Sequence, residues 1–206
     1  MDIISLIKHR VLTDGICNVI IAGGTCSGKT TLAENIRNQM SKDYSVSVIK
    51  QDDYFKDIQD VPKIRKGYLM DSPNAFYASE FRQDADLLLK NGTAVIPRYD
   101  MAQNKRLSKD VRIMRSKVNI FEGLHTLTFL EGLPNALTIF MSTPLEVCLE
   151  RRISRDTMLW GIAEQRIREH FDDCIAPMYH SYIAPQIKRA EIKTEGRDLR
   201  GIEENI

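Results

Sequence analysis

The sequence predicts an α/β fold in which a mostly parallel central sheet is covered by helices on both of its faces. Apolar runs with the length and composition of buried strands lie at residues 18–22, 45–50, 118–122, 136–141 and, more weakly, 190–194. Helical stretches separate most of these runs, as expected when neighbouring strands run in the same direction. A glycine-rich segment between the first run and the first helix completes a strand, turn and helix in sequence.

We expect the 206 residues to form one domain, 1–206, because a chain of this length can bury most of its apolar surface in one core. Residues 1–15 combine isoleucine and leucine with charged side chains, which predicts an amphipathic helix packed on that domain. Residues 93–116 predict a β excursion, in which short β-like pieces at 93–99 and 111–115 lie on either side of a polar stretch. Residues 151–188 predict a charged, mostly helical region that closes as a lid.

The remaining helices follow from local patterns. Residues 30–40 follow the glycine-rich turn, and residues 78–90 place Phe81, Ala85 and Leu88 near helical spacing. Residues 144–153 begin with a proline, which is favourable in a first helical turn because it lacks an N–H group.

The composition argues against several classes of function. The chain has 29 Lys and Arg residues against 28 Asp and Glu residues, so its net charge gives no reason to expect nucleic acid or a membrane as partner. No apolar run is long enough to span a bilayer. The four cysteines form neither a zinc motif nor a disulfide pattern, which predicts reduced thiols and a cytoplasmic protein.

The glycine-rich segment matches the phosphate-binding pattern G-x-x-x-x-G-K-[ST]. Its glycines allow a concave backbone whose N–H groups point at a polyphosphate, and the following helix directs the positive end of its dipole to the same place. We expect Lys29 to contact the β- and γ-phosphates of ATP and the Thr30 hydroxyl to bind Mg²⁺. The predicted fold is therefore a three-layer P-loop NTPase. The predicted nucleotide-binding residues are Gly23, Gly24, Thr25, Cys26, Ser27, Gly28, Lys29, Thr30 and Thr31.

Acidic residues follow two of the predicted strands. Asp52 and Asp53 come after the run at 45–50, and Glu122 ends the run at 118–122. Ligands of open α/β sheets bind at the carboxyl ends of the strands. Asp52 is therefore a candidate base for an attacking hydroxyl, and both Asp52 and Glu122 are candidate Mg²⁺ ligands. Each position also fits an ordinary role, Asp52 as a helix cap and Glu122 as an exposed turn residue.

Short motifs along the chain resemble those of uridine kinases in their order and spacing. They are G-G-T-C-S-G-K-T-T-L-A, Q-D-D-Y-F-K, D-S-P-N-A-F, I-P-R-Y-D, F-E-G, R-R-I-S-R-D and A-P-M-Y, and they lie between Val19 and Gly196. D-S-P-N-A-F and I-P-R-Y-D point to the uridine kinase and phosphoribulokinase branch, while the first two motifs are also similar to nicotinamide riboside kinases. The resemblance implies a nucleoside-kinase-like fold with a helical lid, and an enzyme that phosphorylates a small molecule with ATP and Mg²⁺.

The resemblance also implies roles for individual residues. Asp52 would activate the 5′-hydroxyl of a nucleoside, and Asp71 would bind the ribose hydroxyls. Tyr99 would pack against the nucleoside or form a hydrogen bond with it. Arg152 and Arg155 would bring positive charge from the lid to the substrate and the phosphates. Taken alone, Asp71 fits equally a turn residue, and Tyr99 a half-buried strand aromatic.

Several positions depart from the uridine kinase pattern. Asn104 stands where uridine kinases have a histidine that reads the pyrimidine edge, and His170 stands where they have a glutamine. We expect both side chains to contact the substrate. Trp160 and Ile162 replace two lid arginines, and Phe55 replaces a tyrosine. For Trp160, stacking on a flat base and plain packing within the lid both stay open.

We therefore expect phosphorylation of the primary hydroxyl of a nucleoside, with uridine or cytidine as the leading acceptor. Nicotinamide riboside, a pantothenate-like compound and a sugar phosphate stay open as acceptors. The missing lid arginines also leave open a nucleotide-binding regulatory protein without turnover. A hydrolytic switch is the weakest interpretation, because the sequence has no guanine-reading N-K-x-D motif. Uridine kinases often form oligomers, so a homo-oligomer is compatible with the resemblance.

Overall fold

The computed structural model of the protein describes residues 2–108 and 110–196. The expected domain 1–206 and the expected helix 1–15 both begin with Met1, which lies outside the described residues. Lys109 of the excursion and residues 197–206 also lie outside them. None of the described helices is both long enough and apolar enough to cross a membrane.

A five-stranded parallel sheet forms the centre of the described part of the chain. The strands are β1 (Cys17–Gly23), β2 (Val46–Lys50), β3 (Lys63–Ile64), β4 (Gly67–Tyr68), β5 (Thr93–Ile96), β6 (Tyr99–Asp100), β7 (Lys105–Arg106), β8 (Val111–Met114), β9 (Val118–Gly123), β10 (Ala136–Met141) and β11 (Ile192–Thr194). The central sheet has the order β11-β10-β1-β9-β2, with β1 in the middle. The predicted α/β fold with a mostly parallel sheet is confirmed.

Helices cover this sheet on both faces. They are α1 (Ile3–Asp14), α2 (Lys29–Met40), α3 (Ala78–Asn91), α4 (Thr126–Phe129), α5 (Leu145–Trp160), α6 (Glu164–His170) and α7 (Ala176–Met178). Successive residues of β1 point to opposite faces. One face is covered by α1 and α2, with a core that includes Val19, Ile21, Ile7, Leu32 and Ile36. The other face is covered by α3 and α4, with a core that includes Ile20, Ala22, Phe81, Leu88 and Leu127.

The excursion at 93–116 contains two antiparallel strand pairs. β5 pairs with β8, and β6 pairs with β7, so the start of the predicted polar stretch belongs to a hairpin. The β-piece expected at 93–99 is interrupted after Ile96. Pro97 follows there, and proline lacks the N–H group that a strand ladder needs.

The lid region begins inside α5, which extends beyond the expected helix 144–153 to Trp160. The arginines of the R-R-I-S-R-D motif therefore lie on a helix that starts at the carboxyl edge of the sheet. Between residues 171 and 183 the helical hydrogen bonds widen to i→i+5 on either side of Pro177, which cannot donate one.

Asn18 of β1 and Asn119 of β9 lie side by side, buried in the sheet. The Asn119 amide donates to Asn18 Oδ1 at 2.9 Å, and the Asn18 amide donates to the Pro134 carbonyl at 2.7 Å. Asn119 Oδ1 accepts the Ser116 N–H at 2.9 Å. These bonds satisfy both amides, which would otherwise cost free energy in a buried place.

Asn119→Leu should lower the free energy of unfolding by about 2–4 kcal/mol, because Asn18 Oδ1 and the Ser116 N–H would lose their partner. Urea unfolding followed by circular dichroism measures the change. Asn38→Leu, on the exposed side of α2, is the control and should change stability by less than about 0.5 kcal/mol. Equal effects of the two substitutions would contradict a stabilising role for the amide pair.

Candidate active site

The segment between β1 and α2 forms a tight loop at the carboxyl edge of the sheet. Gly28 precedes α2 at φ 101°, a left-handed conformation that favours glycine. At Gly23, a Cβ atom would lie 2.8 Å from Met141 Cβ on β10, too close for any side chain. Because α2 begins directly at Lys29, the free N–H groups of its first turn open onto this loop.

Lys29 and Thr30 have different partners at the start of α2. The Lys29 ammonium is buried and donates across the loop to the Gly24 carbonyl at 2.7 Å. The Thr30 hydroxyl donates to Glu122 Oε1 at 3.1 Å. The two predicted Mg²⁺ ligands Thr30 and Glu122 therefore meet directly.

The pairing of β9 with both of its neighbours brings the acidic strand ends beside the loop. Glu122 lies opposite Ile21 of β1 and opposite Lys50 of β2. One strand separates β1 from β2, so their ends lie roughly 10 Å apart at ordinary strand spacing. Asp52 follows β2 in a short 3₁₀ turn, Gln51–Tyr54. This gap is wide enough for a phosphoryl group and an incoming hydroxyl.

Asp52 lies in a negatively charged part of this cleft. Burial and then the charge of Glu122 raise the pKa of Asp52 to about 7, the Lys29 ammonium opposes this shift, and Asp71 and Asp53 add to it. Lys29, Glu122 and Asp71 are therefore all within electrostatic range of the Asp52 carboxylate. A pKa near neutrality suits a group that accepts a proton at neutral pH.

Two buried polar atoms near this cleft, Asp71 Oδ2 and the Tyr99 hydroxyl, have no hydrogen-bond partner among the described residues. Burial raises the pKa of Asp71, and the Arg152 guanidinium opposes that shift. The Tyr99 ring packs against Phe55 with 5.3 Å between ring centroids. Because buried polar groups are normally paired, both atoms are expected to bind polar atoms of a ligand.

The sequence reasoning missed two buried residues, Gln51 and His125, that tie the acidic segments together. Gln51 Oε1 accepts the His125 N–H at 2.8 Å, and His125 Nε2 donates to the main-chain carbonyl of Asp71 at 2.9 Å. Phe76 and Phe129 pack around the His125 ring. Gln51 directly precedes the predicted acid Asp52, and His125 lies three residues after the predicted acid Glu122. Neither residue belongs to a sequence motif whose spacing indicates a functional role.

The lid arginines reach the phosphate loop from α5. Arg152 donates to the Thr25 hydroxyl at 3.3 Å. Arg151, which belongs to the predicted charged region but had no individual role assigned to it, donates to the Cys26 carbonyl at 3.3 Å. The structure therefore brings one predicted and one further guanidinium to the loop.

Asp156 holds the two predicted arginines in place. Its buried carboxylate accepts from Arg152 Nε at 3.2 Å and from Arg155 Nε at 2.7 Å. The charge of Arg155 also interacts with the Asp52 carboxylate. Arg152 and Arg155 thus lie on the side of the loop that faces the strand-end acids.

Asn104 and His170 occupy different surroundings. Asn104 is exposed in the turn between β6 and β7 at φ 49°, a conformation in which asparagine is favoured among residues other than glycine. His170 ends α6 and lies against Gly67 of the β3–β4 pair. Burial and then the charge of Arg152 lower the pKa of His170. Contact of either side chain with a substrate stays a prediction.

The residues at the loop fit a magnesium ion that is held in part by a nucleotide. Within residues 2–108 and 110–196, no group of three or more His, Cys, Asp or Glu side chains could hold a metal ion. Mg²⁺ commonly takes one or two protein oxygens and completes its shell with phosphates and water. The Thr30 hydroxyl and the Glu122 carboxylate, 3.1 Å apart, are suited to that partial set.

The buried His125 should make stability depend on pH. Burial lowers the pKa of His125 to about 4, whereas the unfolded chain binds the proton near its ordinary pKa of about 6.5. The folded state therefore loses stability as the pH falls from about 6.5 towards 4. His125→Gln keeps an N–H donor but has no group that titrates in this range. It should reduce the loss of unfolding free energy between about pH 6.5 and pH 4 by up to roughly 3 kcal/mol.

Urea unfolding of both proteins between about pH 7 and pH 4 measures this difference. The exposed His9→Gln is the control and should leave the curve unchanged. An unchanged slope in His125→Gln would contradict a buried neutral imidazole.

Comparison with known proteins agrees with this arrangement. Residues 19–198 match the Phosphoribulokinase / Uridine kinase family. A uridine kinase of Tolumonas auensis is 31% identical over 189 residues, which cover 87% of each chain. A uridine kinase of Mycoplasma genitalium is 35% identical over 177 residues, which cover 84% of this chain and 82% of the relative.

Two solved structures share the fold. A protein of Silicibacter sp. TM1040, described as a candidate fructose transport system kinase, is 18% identical with a TM-score of 0.69, covering 94% of this chain and 98% of its own. The phosphoribulokinase of Rhodobacter spheroides is 14% identical with a TM-score of 0.56, and the match covers 85% of this chain and 69% of the phosphoribulokinase chain. The sequence match decides the family: this chain belongs to the Phosphoribulokinase / Uridine kinase family of P-loop kinases and is a phosphotransferase with a hydroxyl acceptor.

Proposed function

We propose that the protein transfers the γ-phosphoryl group of ATP to the 5′-hydroxyl of a nucleoside, with uridine or cytidine as the acceptor. One observation carries the proposal: Asp52 and Asp71 lie within electrostatic range of each other and of Lys29, and Asp71 Oδ2 has no partner among the described residues. A base and a free carboxylate beside a phosphate loop suit an acceptor that carries both a reacting hydroxyl and a vicinal diol. The uridine kinases among its relatives support this acceptor.

The loop at residues 23–31 would bind the triphosphate. Lys29 would exchange the Gly24 carbonyl for the β- and γ-phosphates, and α2 would direct its N-terminal N–H groups at them. Thr30 and Glu122 would hold Mg²⁺, with Asp52 near enough to contribute. ATP supplies the phosphoryl group, and Mg²⁺ neutralises part of its charge.

On the acceptor side, Asp52 would take the proton of the 5′-hydroxyl. Its raised pKa brings the carboxylate close to neutrality, where a base both is ionised and accepts a proton readily. Asp71 would accept hydrogen bonds from the ribose hydroxyls, and the Tyr99 hydroxyl would bind a further polar atom. His125 and Gln51 would hold Asp71 and Asp52 in fixed positions relative to each other through their buried hydrogen bonds.

Arg152 and Arg155 would stabilise the negative charge of the transferred group. Asp156 holds both guanidinium groups beside the loop, so their positions are set before a ligand binds. A cytoplasmic setting belongs to this proposal, because all four cysteines are free thiols. Assembly into a homo-oligomer stays a prediction.

Asp52→Asn should reduce kcat by at least about 10²–10⁴-fold, because an amide cannot accept the hydroxyl proton. ATP affinity, measured by calorimetry, should change little. Asp60→Asn replaces an exposed carboxylate outside the cleft and should leave both quantities unchanged. A kcat in Asp52→Asn close to that of the wild type would contradict the assignment of the base.

Incubation of the purified protein with Mg-ATP and a panel of hydroxyl compounds tests the acceptor. Mass spectrometry should show phosphate on uridine and cytidine. Phosphate on nicotinamide riboside, a pantothenate-like compound or a sugar phosphate, but not on a pyrimidine nucleoside, would overturn the pyrimidine assignment.

A regulatory protein without turnover is the second candidate, and Trp160 and Ile162 favour it because they replace two cationic residues of the lid. The loss of such charges lowers the rate of phosphoryl transfer by orders of magnitude unless other residues replace them. Tight ATP binding without a phosphorylated product from any acceptor would support this second candidate.

A further inference from the structure

A cavity of about 590 Å³ lies in the lid, between the end of α5 and α6. We call it the lid cavity. Its walls include Arg152, Trp160, Ile162, Arg166 and His170. A volume of this size accommodates one planar ring with its substituents.

Trp160 is available to a ligand in this cavity. Its side chain is 53% exposed, although it sits at the end of a 16-residue helix. A tryptophan that served only to pack the lid would be largely buried, because burial of its large ring is the source of its stabilising effect. The exposed indole instead offers a flat apolar surface on which a ring can stack.

The charges around the lid cavity favour a neutral ring with carbonyl groups. Asp156 also lines the cavity, but Arg152 and Arg155 already neutralise its carboxylate. Arg166 has no ion pair with any described residue, whereas Arg168 on the same helix is paired with Glu164 at 2.7 Å. The cavity is therefore net positive, which disfavours a cationic ring and provides hydrogen-bond donors for carbonyl oxygens.

Arg152 connects the lid cavity with the reacting groups. It lines the cavity, donates to Thr25 of the phosphate loop, and is the leading positive charge acting on Asp71. A ring in the cavity would therefore lie on the side of the site where Asp71 would bind the acceptor's diol.

We propose that the lid cavity binds the planar ring of the phosphate acceptor, with Trp160 as its stacking surface and Arg166 as a donor to a ring carbonyl. The inference rests on the proposed function and narrows it to acceptors with a neutral, carbonyl-bearing ring. Trp160 stands at one of the two positions where the uridine kinase pattern has lid arginines, and Arg166 follows it on α6.

The intrinsic fluorescence of the protein tests this directly, because Trp160 is the only tryptophan in the sequence. Uridine alone should change the Trp160 emission, whereas ribose alone and ATP with Mg²⁺ alone should not. A response to ATP with Mg²⁺ but not to uridine would assign the cavity to the nucleotide and overturn the proposal.

Kinetics of variants provide the second measurement. Trp160→Ala should raise the KM for uridine by about 5- to 150-fold, the loss expected for one ring stack, and leave the KM for ATP unchanged. Trp160→Phe should restore the KM for uridine to nearly the wild-type value. The control is Leu159→Ala, which removes a neighbouring side chain that is 59% exposed and does not line the cavity. Arg166→Gln should raise the KM for uridine and weaken discrimination against nicotinamide riboside, whose ring is cationic.

The two proposals fail in different ways. Phosphorylation of uridine with an unchanged KM in Trp160→Ala and unchanged Trp160 emission would overturn the lid-cavity proposal alone. A change of Trp160 emission with uridine, but no phosphorylated product, would support the cavity as a ring site and overturn the proposed function alone.

Discussion

The parallel pairing of β9 between β1 and β2 is the constraint on which the site depends. It places Glu122 opposite residues of both neighbours and separates the phosphate loop from Asp52 by the width of one strand. A shift of one residue in this register would turn Glu122 and its buried neighbours to the opposite face. The register is held by buried apolar residues on both faces of the sheet and by the Asn18–Asn119 amide pair. Stability of the sheet and geometry of the site therefore have a common origin.

The cleft concentrates polar groups that the fold leaves incompletely satisfied. Asp71 Oδ2, the Tyr99 hydroxyl, Ser27 Oγ and Gln51 Nε2 are buried without a hydrogen-bond partner among the described residues. Burial, and after it the charge of the neighbouring carboxylate of Glu122, raises the pKa of Asp52. Each of these arrangements costs free energy in the free protein. Such costs are typical of binding sites, since a ligand that supplies the missing partners recovers them on binding.

The lid combines a preserved and an altered part of the family pattern. Arg152, Arg155 and Asp156 form a pre-arranged group beside the loop. Beyond them, the replacement of arginines by Trp160 and Ile162 exchanges positive charge for an apolar surface at the lid cavity. The positive charge that we propose for phosphoryl transfer thus comes from the middle of α5, where Arg152 and Arg155 lie beside the loop, while the end of the helix is free for a different role. This division explains how a chain with fewer lid arginines can retain groups suited to phosphoryl transfer.

Local sequence patterns were enough for the fold class, the five central strands and the phosphate loop. A strand that is buried on both faces is apolar along its whole length, and this pattern can be recognised within a few residues. The glycines at positions 23 and 28 are likewise part of one short motif. The roles of Asp52 and Glu122 as strand-end acids could also be predicted from the sequence, because parallel strands end at one edge of the sheet. Only the tertiary structure decided that Gln51 and His125 join these acids to Asp71, that α5 continues to Trp160, and that Trp160 is exposed. These properties depend on contacts between residues far apart in the chain, whose distances no local pattern encodes.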